Sequence, residues 1–560
     1  GGGTRVARTL RLLATLSRGI EARFVWLLLI IGMLLLFADL GDIYLWQDEA
    51  ETALIARHWL AYGLPLSTDG VTWVQQQGQP FIEFTQDYIW ISHSWMQFAL
   101  TAASFAVLGV STVTARLPSV LAGLATLCFF YRFLLRWLKN DRVAHIAAVL
   151  LLFCVPFILL VRQCRYYVFS VLFTLLTLDS YLYMRSGKAW AMPYFILSAV
   201  LLFHSHYLAF VPTVAALLVH LISFTVMRKV WPRFLLAFVL VATLVTPWAC
   251  FMRLESRSGF LPTQGRTARA GLLRWDRFVG QLGQYFLQIT LWIFPLLFIP
   301  VLIFAWLRRS DKDRWALDSK QASFCQLCSL VVVVNLLTLS GLGWVFFRYL
   351  AHLIPLLLAM LSVAIVWLAR RWFVFAYVLL AIVITSNGLH ILPYKLLCAT
   401  HLEQSHWWQE TSASPATNWI SLIQTVRFRS DIWMYAQELT HPYEGPIEGL
   451  VAYLSQCAKP GQTILVNDED LPLQFYTNQR VLGGLSGHGL TLDLHPDWVI
   501  DRKYGHYRDI LATIIQGGLY ERIEIPYPDI CNENREEVYK HHYLTVQGED
   551  HVVLYRRKGD

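Results

Sequence analysis

The residues most able to do chemistry are two adjacent acids, Asp48 and Glu49, in the first polar run after the first apolar segment. Carboxylates at a membrane boundary cost little in water and a good deal once a fold shelters them. One of such a pair can take a proton from a hydroxyl while the other orients it. The plainer reading is that Asp48 or Glu49 caps a helix beginning near Ala50, at an end where negative charge is favoured. Further polar clusters are Arg162-Gln-Cys-Arg165-Tyr166-Tyr167, Phe346-Phe-Arg348-Tyr349 and His204-Ser-His206-Tyr207. Arginine offers paired planar donors and keeps its proton, which suits a phosphate. Tyrosine adds a hydroxyl and a face for an apolar chain. The plain alternatives are arginines that snorkel to headgroups and an aromatic belt at the interface. Arg57 and His93 complete the substrate-binding candidates.

These groups need a membrane scaffold to hold them. The chain is 56% hydrophobic and only 15% charged, with a mean hydropathy of +0.46. Soluble surfaces need more charge than that. The net charge of +8 lies in short basic clusters between apolar runs, as membrane orientation requires, and does not imply nucleic acid. Arg5, Arg8, Arg11, Arg18 and Arg23 precede the first span, which predicts a cytoplasmic N-terminus. Residues 41–93 carry seven acids against Arg57, which predicts the outer side.

Eleven spans satisfy the charge rule nearly everywhere. They fall at 24–40, 115–137, 143–161, 166–184, 189–206, 207–227, 232–252, 284–307, 320–340, 344–368 and 372–391. Residues 94–110 read as a helix lying along the outer face, and Glu51–Tyr62 as a short amphipathic helix ended by Gly63 and Pro65. The Arg-rich loop 253–283 breaks the charge rule: it reads as an error in the assigned topology, as a surface for anionic headgroups, or as a mobile cover that holds a phosphate or an acidic acceptor. Cys325 and Cys328 share a helix face and read as packing. Cys457 and Cys531 alone lie where a disulfide is plausible, and the sequence does not decide whether they pair.

From residue 393 the composition changes and spans cease. Strands at 463–467, 498–500 and 551–555, with helices at 471–477 and 507–516, predict a small α/β domain. The expected organisation is a polytopic helical membrane unit over 1–392 and an extracytoplasmic α/β domain over 393–560. No glycine-rich phosphate loop, nucleophile elbow or zinc-spaced cluster stands out in the latter. By class, three functions compete: a membrane transferase, a multi-span transporter or flippase of a lipid-linked or anionic substrate, and a non-catalytic glycan-binding or assembly subunit. The transporter predicts ionisable groups at mid-span and paired repeats, whereas mid-span charges are scarce here, Asp179 being an exception.

The order of first span, Asp48-Glu-Ala50, helix and Tyr62-Gly-Leu-Pro65 resembles the membrane glycosyltransferases of GT-C fold. So do Ala115-Arg-Leu-Pro-Ser119, the Arg162–Tyr167 turn and an outer C-terminal domain. The sequence is most similar to the branch of protein O-mannosyltransferases and the lipid A aminoarabinose transferase. That resemblance implies transfer of a monosaccharide from a polyprenyl-phosphate carrier to an acceptor lipid, polysaccharide or protein, outside a bacterial inner membrane. It implies Asp48 as the base. Many relatives have His- or Lys-Pro-Pro where this chain reads His93-Ser-Trp-Met. No cofactor is required on this reading, and a divalent ion held by Asp48, Glu49 and a histidine stays open.

Overall fold

The structure is a computed structural model that describes residues 21–76, 83–224, 230–254, 275–308, 317–342, 345–401, 427–516, 518–530, 534–535, 541–542 and 550–559. Most of the Arg-rich loop and Cys531 lie outside these residues. The first helix, α1, covers residues 21–37. It is followed by α2 (Gln47–Tyr62), α3 (Met96–Leu108), α4 (Thr112–Leu138), α5 (Asp141–Leu152), α6 (Val155–Val161) and α7 (Tyr167–Arg185). Next come α8 (Ala191–Ser205), α9 (Tyr207–Phe224), α10 (Trp231–Phe251), α11 (Trp275–Trp292), α12 (Phe298–Leu307) and α13 (Ser319–Ser340). A 3-10 turn, Phe347–Leu353, leads into α14 (Ile354–Ala369), α15 (Phe373–Thr385) and α16 (Gly388–His401).

Among the described residues, five helical stretches are long and apolar enough to cross a membrane. They are α4, α7, α10, α13 and the turn-plus-α14 unit, and the number becomes seven if two bent pairs each count as one span. The protein is an integral membrane protein, with fewer full-length helices than the eleven expected spans. The expected spans at 189–206 and 207–227 are α8 and α9, whose apolar helical stretches fall short of the roughly 20 residues a bilayer needs. The expected span at 143–161 bends by 61° between α5 and α6, next to Pro156, which cannot continue a hydrogen-bonded helix.

Two local features set the acid helix. α2 begins at Gln47, four residues before the expected start, and is capped at Trp46 without a side-chain bond. Asp48 and Glu49 therefore sit inside its first turn and are not the N-cap. The helix is buried nearly all round from Gln47 to Ala56 rather than amphipathic. It stops at Gly63, whose φ of +76° favours glycine. A capping box between Ser111 and Thr114 starts α4 just after the Gly109 end of α3, which sets Arg116 in the second turn facing α2.

The C-terminal part contains α17 (Asp431–Glu438), α18 (Pro446–Cys457), β1 (Thr463–Val466), α19 (Asp470–Thr477), β2 (Arg480–Gly483), β3 (Trp498–Asp501), α20 (Arg508–Ile515), β4 (Tyr520–Pro528) and β5 (His551–Arg557). The strands form one mixed sheet in the order β2-β1-β3-β5-β4. β1 is parallel to both its neighbours, and β5 is antiparallel to β3 and β4. The two strands absent from the sequence expectation, β2 and β4, are the two edges, where short length, charge and proline are tolerated. α19 is not remote from the acid helix: Ala53, Leu54, Trp90, Phe98, Leu471 and Phe475 share one buried cluster.

Candidate functional site

Helical spacing sorts the acids of α2. Positions three apart lie on one face, and adjacent positions do not. Asp48 and Glu51 accordingly point together, and Glu49 points elsewhere.

Glu49 is fully buried and paired with Arg116 through two bonds, Nε to Oε1 at 2.9 Å and Nη2 to Oε2 at 2.7 Å. Its carboxylate also accepts the Cys164 amide at 3.0 Å and the Asn534 side-chain amide at 3.1 Å. Arg116 reaches on to the carbonyls of Leu40 and Ile43. Every strong donor around Glu49 is thus satisfied by the fold, so the arrangement gives Glu49 no open side from which to orient Asp48 or hold an ion.

Asp48 stands in different surroundings. Arg348 Nη1 donates to its Oδ2 at 2.8 Å, and Arg165 Nη2 lies 3.7 Å from the same atom. Among the described residues no hydrogen bond reaches Oδ1. Behind Asp48, Glu51 accepts from Arg165 Nη1 at 2.7 Å, lies 3.3 Å from His93 Nδ1 and is bonded by the Gln76 amide. Arg165 also donates to the Asp48 carbonyl at 2.8 Å and to Thr52 Oγ1 at 3.1 Å. The side chains of Glu51 and Arg165 are each 2% exposed, while those of Asp48, Arg348 and His93 are 11%, 13% and 26% exposed. The site is therefore layered, with a sealed ion pair behind and an accessible acid, arginine and histidine in front.

Electrostatics fixes the charge states of the back layer. Burial pushes the Glu51 carboxyl up, but Arg165 and then His93 outweigh it and hold the group down at about 2. Burial disfavours charge on Arg165, yet Glu51 and Asp48 keep it firmly protonated. His206, between α8 and α9, is held well below its usual range by burial, with further positive groups around it, and so is neutral. Burial also raises the Tyr166 phenol, keeping it protonated.

A row of rings lines this layer. His93 stacks on Tyr166 with centroids 5.7 Å apart, Tyr166 on His206 at 4.4 Å, and His206 meets Tyr349 at 5.7 Å. Arg165 lies over Tyr166 and Arg348 over Phe346. Five separate segments thus converge: the α2 first turn, the stretch before α3, the α6–α7 turn, the α8–α9 junction and the 3-10 turn before α14.

The other expected residues lie apart. Arg162 donates to the carbonyls of Leu36, Ala38 and Asp39 and stacks on Tyr435. It finishes the end of α1, where orphan carbonyls need donors, and does not join Asp48. Arg57 is nine residues beyond Asp48 on α2, about 13 Å along the axis, against Phe475. Tyr167 opens α7 with its ring edge on Tyr166. Glu51 is the residue sequence reasoning missed. Its three-residue offset from Asp48 is the available signal, and a helix expected to start at Glu51 conceals it.

No protein-family model matches the sequence, and no curated protein matches it. Among solved structures, the chain is similar to ArnT from Cupriavidus metallidurans in the apo state, at 14% identity and a TM-score of 0.55, over 96% of this chain and 98% of that one. ArnT from the same organism bound to undecaprenyl phosphate aligns at 14% identity and a TM-score of 0.51, over 97% and 98% of the two chains. At this identity the likeness establishes the fold. The chain has the GT-C fold that its Asp48-Glu-Ala, Ala-Arg-Leu-Pro-Ser and Arg-x-x-Arg-Tyr-Tyr segments resemble.

Proposed function

We propose that this chain is an inverting glycosyltransferase that moves a monosaccharide from a polyprenyl-phosphate carrier to a hydroxyl of a lipid, polysaccharide or protein. The reaction takes place on the outer side of a bacterial inner membrane. Residues 1–392 form the catalytic membrane unit, and residues 393–560 face the same extracytoplasmic side. The observation that carries this reading is Asp48, the most exposed of the three acids of α2, bracketed by Arg348 and Arg165. The GT-C fold, shared with a structure that binds undecaprenyl phosphate, supports the choice of carrier.

On this reading Asp48 Oδ1 takes the proton of the acceptor hydroxyl as that oxygen attacks the anomeric carbon. The bond to the carrier phosphate breaks on the opposite face, through an oxocarbenium-like state, and the configuration inverts. Arg348, the more accessible guanidinium, and Arg165 behind it stabilise the charge growing on the departing phosphate. Two guanidinium groups supply that neutralisation without a metal. Glu51 holds Arg165 in place and is a positioning residue. The row of rings offers an apolar wall for the sugar face or the first isoprene.

The test is release of polyprenyl phosphate from a labelled polyprenyl-phospho-sugar by the purified chain, with mass spectrometry of glycolipids from cells with and without the gene to identify the acceptor. Asp48→Asn should bind the donor and fail to turn it over. Near-normal turnover by that variant would remove Asp48 from the chemistry.

A further inference from the structure

The connection between β4 and β5 carries His541 and His542, and both meet Glu438 at the end of α17, about a hundred residues earlier. His541 Nε2 lies 2.7 Å and His542 Nε2 2.9 Å from the same oxygen, Glu438 Oε2. The three potential ligand atoms all fall within 4.8 Å of one another. The side chains of His541 and Glu438 are 1% and 5% exposed.

The proton count singles this cluster out. His541 Nδ1 is 2.7 Å from the Arg535 carbonyl, which can only accept, so Nδ1 carries the hydrogen. A neutral imidazole has one such hydrogen, and its Nε2 then presents a lone pair to a carboxylate oxygen. Two acceptors at 2.7 Å require a cation between them, either a second proton or a metal ion. A backbone carbonyl fixing the far nitrogen is what metal-bound histidines show. Nitrogen and oxygen ligands around a tetrahedral zinc stand about 3.3 Å apart, so a few tenths of an ångström of opening admits the ion. Asp42, which accepts the Tyr443 amide at 2.9 Å, adds negative charge beside His542, and the Tyr443 ring covers that imidazole at 4.3 Å.

We infer that Glu438, His541 and His542 form a structural site for a divalent transition ion of the zinc type, which clips the β4–β5 connection to α17. Two imidazoles and one carboxylate suit such an ion better than magnesium or calcium. The clip has a mechanical consequence. α17 is tied to α1 through Tyr435, whose hydroxyl donates to the Leu35 carbonyl. Ahead of the histidines, Arg535 stacks on Trp46 and Asn534 reaches Glu49. The ion would hold the segment that seals the first turn of the acid helix. The site lies apart from Asp48, and the inference does not depend on the transferase reading.

The full chain in detergent, stripped with EDTA and dialysed, is titrated with Zn²⁺ while bound metal and the thermal midpoint are recorded. The expectation is one ion per chain and a midpoint that rises with Zn²⁺, because a ligand of the folded state stabilises it. Both effects should disappear in His541→Ala and in Glu438→Gln. If those variants fail to fold, the wild-type chain loaded with Co²⁺ decides alone, by the visible absorption of a tetrahedral cobalt site. Failure to bind either ion overturns the inference, as does unchanged zinc binding in folded variants. A midpoint that answers to acid between pH 8 and 5.5 but not to zinc would overturn it too, in favour of a proton between His541 and Glu438.

Discussion

Asp48 and Glu49 are neighbours in sequence and opposites in surroundings. Glu49 is enclosed by Arg116, the Cys164 amide and Asn534, with no exposed surface. Asp48 meets two arginines on one oxygen only and keeps an accessible face. A hundred-degree turn of helix separates a carboxylate that holds the fold from one able to exchange a proton. Acidity of residue type therefore says little about function, and the number of donors already committed to each oxygen says much more.

Breaking the comparison from the Asp48 side should have the largest effect. Asp48→Asn is expected to lower transfer by about 10²–10⁴-fold, the usual worth of a general base, with the thermal midpoint nearly unchanged. Removing the partner of Glu49 should do the reverse. Arg116→Ala leaves a buried carboxylate uncompensated, at a cost of about 3–5 kcal/mol, read as a lower midpoint and less protein recovered from membranes. If Arg116→Ala folds normally but fails in turnover, the division of labour between the two acids is wrong.

The two arginines sharpen the picture further. Arg348→Lys keeps the charge but loses the planar donors facing Asp48, so a fall in turnover of roughly tenfold is expected with the fold intact. Glu51→Gln weakens the hold on buried Arg165 and should raise KM for the polyprenyl-phospho-sugar more than for the acceptor. Equal changes in both constants would point to general damage.

The remaining effect concerns pH. Burial pushes Asp470 up to about 7, against hydrogen bonds from groups including Gln47, and pushes Glu448 up to about 7 as well. Asp470 accepts from the Gln47 side chain at 2.9 Å and Glu448 from the Tyr44 amide at 2.7 Å. Both groups have folded values above their unfolded ones, so between about pH 4 and 7 the folded chain binds the extra proton. Their contribution to stability is largest at the acid end and is lost as pH rises through 7. Melting curves from pH 5 to 8 should show this decline, and Asp470→Asn should flatten it.

Much of the membrane part was legible because bilayer thickness and charge bias leave marks on composition. The polar run holding Asp48 stood out, as did the Arg165 and Arg348 clusters that meet it. The start of α2 did not, since Trp46 caps it without a side-chain bond and the helix is buried on all sides, leaving no periodic signal. That error of four residues hid Glu51. Arg162 was misplaced for a different reason: an arginine that finishes a helix and one that faces a phosphate look alike until the carbonyls of α1 are in view. The Glu438–His541–His542 cluster had no local signature, because about a hundred residues and four of the five strands separate its ligands in the chain.

Asn534 has a consequence for biosynthesis. It completes the shell of Glu49, yet it emerges from the ribosome after every apolar helix described here. A nascent chain already threaded into the bilayer would still carry a partly uncapped carboxylate beside its reactive one, at synthesis rates of about 5–20 residues per second for many seconds. The acid helix would be the first feature laid down after the opening span and the last to be secured, so truncations far downstream should surface as faults at its first turn.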